Sequence, residues 1–248
     1  MKKTLIATTM LVGLSTGLAL APASTVFAQE ITASTEAAQQ NWLDALNTRI
    51  DLAQAKTALL RAQIALEIEQ SPDRARQALE DAQSWVAKAR ESAITEAETQ
   101  LQVMSDDIAS AREAIAEMPG EASAMIEALT VTTEARLLEY NQVILDTDEA
   151  KLLRMRYTQA EAHAALLQAQ LAEKMDATGE LAAAYLDKAQ AFYQSTKEGA
   201  SEVWQDVLSE ISEDIDAAKG LIAEKPGEAA AAITNLAERA ARIVRGTQ

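Results

Sequence analysis

The chain has 248 residues and no cysteine, carries a formal net charge of −16, and is 48% hydrophobic but only 4% aromatic. Such acidity excludes nucleic acid, whose binding rests on positive charge that displaces counterions from phosphates, and it excludes an anionic membrane surface for the same reason. Without cysteine there are no disulfides and no lipid-modified N-terminus, and a composition led by good helix formers, with just eight glycines, points to an all-α fold.

Residues 1–28 begin with Lys2 and Lys3, continue through a long apolar stretch, and end in Val26-Phe27-Ala28. Small residues at −3 and −1 predict a cleaved signal peptide, with cleavage after Ala28. A retained membrane anchor fits less well, because Thr, Ser and Gly recur through the stretch and Pro22 interrupts it. The expected location is the periplasm or the extracellular space. Loss of the two lysines takes the net charge of the mature chain from −16 to −18. A solvated, self-repelling surface that keeps an exported protein soluble accounts for that charge.

The mature chain reads as helices punctuated by breakers. The first helix is predicted at 35–69 and ends before Ser71-Pro72-Asp73, where serine caps and proline takes the first helical position. A second, at 72–117, stops at Met118-Pro119-Gly120-Glu121, and a third follows at 120–145. The next three are predicted at 149–176, 179–224 and 227–245, divided by Thr178-Gly179-Glu180 and Lys225-Pro226-Gly227-Glu228. At about 1.5 Å per residue the helices 72–117 and 179–224 would each reach about 70 Å. Two readings of the junction stay open. No proline or glycine lies between Glu121 and Lys174, which allows one continuous helix over 120–176, whereas Asp146-Thr147-Asp148-Glu149 resembles a helix start.

IAEMPGEASAMIEAL at 115–129 returns as IAEKPGEAAAAITNL at 222–236, an offset of 107 residues. Without a gap, 46–129 matches 153–236 at 31 of 84 positions, and 19 of these are not alanine, so composition alone does not produce the match. The expectation is two tandem three-helix antiparallel bundles of long helices related by internal duplication, with domains at 29–145 and 146–248. In each half one apolar seam has alternating steps of three and four: Leu101, Met104, Ile108, Ala111 and Ile115, then Leu208, Ile211, Ile215, Ala218 and Ile222. That 3.5-residue period marks near-parallel packing, as in a bundle or coiled coil.

Groups able to carry chemistry are sparse. The single histidine, His163, aligns with Lys56 of the first half, and a position that accepts lysine is expected to face solvent. No nucleophile stands beside a base in the sequence, and no glycine-rich phosphate loop or paired E-x-x-H motif occurs. Asp106-Asp107 and Glu213-Asp214 coincide in the two halves, but neighbours on a helix diverge by about 100° and cannot converge on one ion. No catalytic residue, metal site or cofactor is therefore expected. Trp42 and Trp85 read as packing anchors, the latter aligned with Phe192. Trp204 aligns with Ala97, which makes it the candidate for a contact or pocket specific to the second half.

ALLRAQIALEIEQSPDRARQALEDAQ and AALLQAQLAEKMDATGELAAAYLDKAQ, each followed by a helix ending in the repeated IAE-x-PGEA motif, resemble the helical arrangement of YfdX-type periplasmic proteins. They also resemble tetratricopeptide-style hairpins, although no 34-residue period appears and the predicted central helices are longer than a hairpin unit needs. The YfdX likeness implies a soluble, stress-associated or chaperone-like periplasmic role without enzymatic activity. Two functions follow as expectations. The first is a non-enzymatic scaffold or chaperone-like module of the bacterial envelope that binds a protein or peptide. The alternative is a small-molecule or cation binder with a pocket in the bundle core. Nothing in the sequence sets the oligomeric state.

Overall fold

Alanine- and leucine-rich segments bounded by proline, glycine and capping serine or threonine form helices throughout the computed structural model, which describes residues 23–93, 95–139, 148–175, 179–197 and 202–246. Most of the predicted signal peptide, residues 1–22, lies outside the described residues. Eight helices are seen among the described residues, and no strand: α1 (Ala23–Glu67), α2 (Pro72–Ser92), α3 (Thr95–Glu117), α4 (Pro119–Glu139), α5 (Asp148–Met175), α6 (Glu180–Lys197), α7 (Glu202–Glu224) and α8 (Pro226–Gly246). The chain divides into two units, Met1–Gln40 and Asn41–Gln248, and the core described here belongs to the second.

Each half of that unit contains four helices rather than the three predicted. The expected helix 72–117 breaks into α2 and α3, where Ala93 turns to extended backbone (φ −76°, ψ 149°). The expected helix 179–224 is likewise α6 and α7. The break has a sequence signal in Thr95 and Glu98, a T-x-x-E spacing suited to a helix start. Burial favours it: folded back as a hairpin, the segment closes its apolar seam on itself. Glu80 pairs with Arg112 (3.6 Å) and Gln83 with Ser105 (3.4 Å), so α2 and α3 run antiparallel.

Residues 140–147 of the junction, with most of the expected helix start at Asp146-Thr147-Asp148-Glu149, lie outside the described residues, but the helices on either side are not one straight helix. Glu134 of α4 and Glu161 of α5 each place a carboxylate oxygen 3.4 Å from the same Lys56 Nζ. A straight helix would separate residues 134 and 161 by about 40 Å, so the chain reverses between α4 and α5.

The arrangement is centred on α1 and α5, which are buried all round over 52–60 and 161–169. Arg154 lies over the ring of Trp42 (5.7 Å), Arg49 over that of Tyr157 (4.1 Å), and Lys56 beside Glu161. Residue numbers rise together along the two helices, so α1 and α5 are parallel. Besides a small cluster of Leu43, Leu46, Ile50 and Leu153 between the pair, two large cores form around it. One joins α1 to α4 with Ala160 of α5, and the other joins α5 to α8 with Leu60 and Ile64 of α1. Each half therefore completes the core of the other.

Helix bounds and burial recur at the offset of 107. Thr95–Glu117 is matched by Glu202–Glu224, and Pro119–Glu139 by Pro226–Gly246, with Pro119 and Pro226 opening equivalent helices. Five of the six buried residues of α2, Ala75, Leu79, Ala82, Val86 and Ala89, correspond to Ala182, Leu186, Ala189, Tyr193 and Thr196 of α6; the sixth, Ala78, corresponds to the half-buried Tyr185. All five predicted seam residues of the first half are buried, as are Leu208, Ile211, Ile215 and Ala218 of the second; Ile222 is half-buried. The turn before α6 departs from its counterpart at Pro72. Gly179 adopts φ +71°, where a Cβ would collide with Ile222 Cγ2, so only glycine fits.

Candidate functional site

Two polar features break the apolar interior where the halves interlock. In the first, Lys56 is fully buried and its Nζ donates to Glu134 Oε1 and Glu161 Oε2, both at 3.4 Å. Lys188 of α6 donates to the same Glu134 oxygen at 2.8 Å. Burial works to raise the Glu134 pKa, but the Lys188 hydrogen bond and the charges of Lys56 and Lys188 together hold it below the usual value. Charges at this depth are tolerated because each meets an opposite partner.

The second feature is a cavity of about 320 Å³ between α1, α2, α5 and α8. Ile64, Ala65, Ala78, Leu167, Ala237 and Ala241 give it an apolar floor, into which Arg61 and His163 are set. Glu69, Arg74, Gln77, Asp81, Gln170, Thr234 and Glu238 complete the wall. Arg74 is engaged by Glu69 at 3.0 Å. His163 is 1% exposed and its Nδ1 is buried with no hydrogen-bond partner. Burial, reinforced by the charges of Arg61 and Arg245, lowers its pKa to about 3, so the ring is neutral at pH 7. Arg61 is lowered too, by burial first and then by Arg245, while Asp81 works in the opposite sense.

The 107-residue offset relates these two features residue by residue. His163 corresponds to Lys56, Ala241 to Glu134, Asp81 to Lys188, Ala78 to Tyr185 and Arg61 to Gln168. Around α5, α6, α1 and α4 the Glu134 side chain reaches between Lys56 and Lys188, and Tyr185 packs against the second core. In the equivalent space alanines stand at 241 and 78, and the volume is open. Small residues on α8 and α2 thus create the cavity.

The expected solvent-facing position of His163 is corrected: both His163 and Lys56 are inside, because α1 and α5 are enclosed on every side. A residue's match to lysine signals exposure only where lysine itself is exposed. Trp204 is half-buried at the start of α7 and does not line the cavity. Asp106, Asp107, Glu213 and Asp214 are exposed, and Asp214 is paired with Arg239 at 2.7 Å. Among the described residues no group of three or more His, Asp or Glu side chains converges to hold a metal ion, and no helix is long and apolar enough to cross a membrane. Sequence reasoning missed Arg61, Ala78 and Ala241; the available signal was small residues facing large ones across the repeat. No family profile, curated protein or solved structure matches the chain.

Proposed function

We propose that the protein is an exported, non-enzymatic binding protein that holds a small molecule in the cavity between α1, α2, α5 and α8, and that its two halves arose by tandem duplication. The observation that carries this reading is the inequality of two equivalent sites. Where one half sets Glu134 between Lys56 and Lys188, the other leaves about 320 Å³ lined by buried alanines, leucine and isoleucine and by His163, whose Nδ1 is buried without a partner. Concave, mostly apolar pockets with a few convergent polar groups are the usual form of small-molecule sites, and this volume lies at the lower end of their range.

The test is to fill the space. An uncharged environment-sensitive dye, N-phenyl-1-naphthylamine, should bind at one equivalent per chain with increased fluorescence. Ala241→Glu, which places at 241 the residue type found at 134, should abolish this binding, with circular dichroism used to confirm that the variant is folded. Undiminished dye binding in a folded Ala241→Glu protein would remove the cavity as the site.

A protein-interaction role of the chaperone-like kind is the second reading. It is favoured by Met175 (69% exposed) and Leu181 (48% exposed), which flank the turn between α5 and α6 with their apolar side chains in water. Its test is co-purification of the tagged mature protein with a specific partner from envelope extract, lost on changing Met175 and Leu181 to serine.

A further inference from the structure

Helices α1 and α5 run side by side in the same direction and finish at one end of the bundle. The start of α4 lies at that end too, since Ser123 donates to Glu67 in the last turn of α1, and α6 starts there after the turn at Gly179. Farther along, Lys188 of α6 reaches Glu134 of α4 at 2.8 Å, so α4 and α6 are neighbours. Three exposed large apolar side chains are gathered at this end: Met118 (48%) just before α4, Met175 (69%) at the end of α5 and Leu181 (48%) in the first turn of α6.

The repeat shows what these residues replace. At the offset of 107, Met118 matches Lys225 and Leu181 matches Arg74. Each of those cations is held by a carboxylate of its own turn, Lys225 by Glu228 at 3.1 Å and Arg74 by Glu69 at 3.0 Å. Glu121, the match of Glu228, has methionine three residues before it in place of lysine. Met175 matches Ile68, which is half-buried against the second core, whereas Met175 stands in water. A single apolar side chain in water is ordinary, but three at one end, two of them standing in for cations, leave that end both apolar and acidic. Glu67, Glu117, Glu121 and Glu180 are exposed there, with Lys174 set against them. The opposite end is of mixed charge, carrying Lys88, Arg90, Lys151 and Arg154 together with Asp44 and Glu91.

Methionine is unbranched and adapts its shape to an apolar partner, and carboxylates at the rim select a cationic one and steer its approach. We propose that this end of the bundle binds a basic, amphipathic peptide segment of another protein, its apolar face on Met118, Met175 and Leu181 and its lysines or arginines against Glu117 and Glu121. The partner's cations do for Glu121 what Lys225 does for Glu228. This step rests on the protein-interaction reading and adds the chemistry of the partner.

The experiment titrates the full mature protein into two fluorescein-labelled peptides, LKKLLKLLKKLLKL and its counterpart with glutamate at every lysine, at physiological ionic strength with anisotropy as the readout. The lysine peptide should bind and the glutamate peptide should not. Met175→Ser with Leu181→Ser should weaken the lysine peptide about tenfold through lost apolar contact, and Glu117→Gln with Glu121→Gln about fivefold through lost charge. Asp106→Asn with Asp107→Asn removes as much charge from the middle of α3 and should leave the affinity unchanged. All these positions are exposed, and circular dichroism checks that each variant is folded. Equal binding of the two peptides would overturn the basic partner while leaving an apolar contact surface. Lysine-peptide binding untouched by the serine pair, or lowered as much by the Asp106 and Asp107 changes as by those at Glu117 and Glu121, would show attraction to the acidic surface at large and overturn the site. Binding of neither peptide would overturn the proposal, and the protein-interaction reading would then stand or fall by co-purification alone.

Discussion

Lys56 and His163 occupy matching positions and solve the same burial problem differently. Lys56 sits 3.4 Å from two carboxylates, so loss of the lysine leaves Glu161 buried without that partner. Lys56→Met should cost about 3–5 kcal/mol in urea unfolding, and Lys56→Met combined with Glu161→Leu should recover most of that loss. A double variant no better than the single would show that Glu161 finds other partners. His163 instead stays neutral, with a native pKa of about 3 against 6.5 for a free histidine. The unfolded chain therefore binds this proton more readily than the native one below pH 6.5. The contribution of His163 is complete above that pH and is lost progressively as the pH falls toward about 3. Relative to His163→Gln, wild type should lose on the order of 3 kcal/mol between pH 7 and pH 4, measured by urea unfolding at each pH. Asp51 has the opposite sign. Burial raises its pKa from 3.8 to about 6, against the pull of Lys88 and Arg156, so its contribution is present below 3.8 and lost as the pH rises through 6. Asp51→Asn should thus gain stability over wild type between pH 4 and pH 7, and parallel pH profiles of the two would contradict this.

At the scale of the element, the clearest contrast lies along α3. Ile108 is fully buried whereas Asp107 is exposed. Ile108→Ala should leave a cavity and cost about 2–4 kcal/mol, and Asp107→Ala should change stability by less than about 0.5 kcal/mol. The same contrast is expected on α7 between Ile215 and Asp214, measured by thermal or urea unfolding. The turn into α6 supplies a further test. Gly179→Ala meets both an unfavourable positive φ and the Ile222 side chain, and should cost at least ~1 kcal/mol. Gly120, near the start of α4, has open space around its missing Cβ, so Gly120→Ala should be neutral or slightly stabilising. The helix seams and the breaks at Pro119, Gly179 and Pro226 were legible because periodicity and backbone restriction act over a few residues. The break inside 72–117 was less so. Thr95 and Glu98 marked it, but the competing pattern, an apolar seam that continues on both sides, is equally local.

For the whole molecule, interlocking of α1 and α5 makes the two halves one cooperative unit. Leu60 and Ile64 enter the second core and Ala160 the first, so neither core is complete without the other half. Two variants that each keep one tryptophan, Trp85 in the first half or Trp204 in the second, should give the same urea midpoint by fluorescence; separate midpoints would mean independent bundles. By itself the sequence determined the helical class, the 107-residue repeat and the seams of α3 and α7, because each is a local or periodic property of the chain. It did not determine which helices lie at the centre. An element half in water announces its buried face by amphipathic period, but α1 and α5 are enclosed on all sides, and polar residues within them carry no mark that separates burial from exposure. Lys56 and His163 were therefore invisible as interior groups. The cavity was beyond reach for a related reason: alanines 78 and 241, on helices far apart in the chain, line the same space as His163, and only tertiary packing brings that absence of side chain to one place.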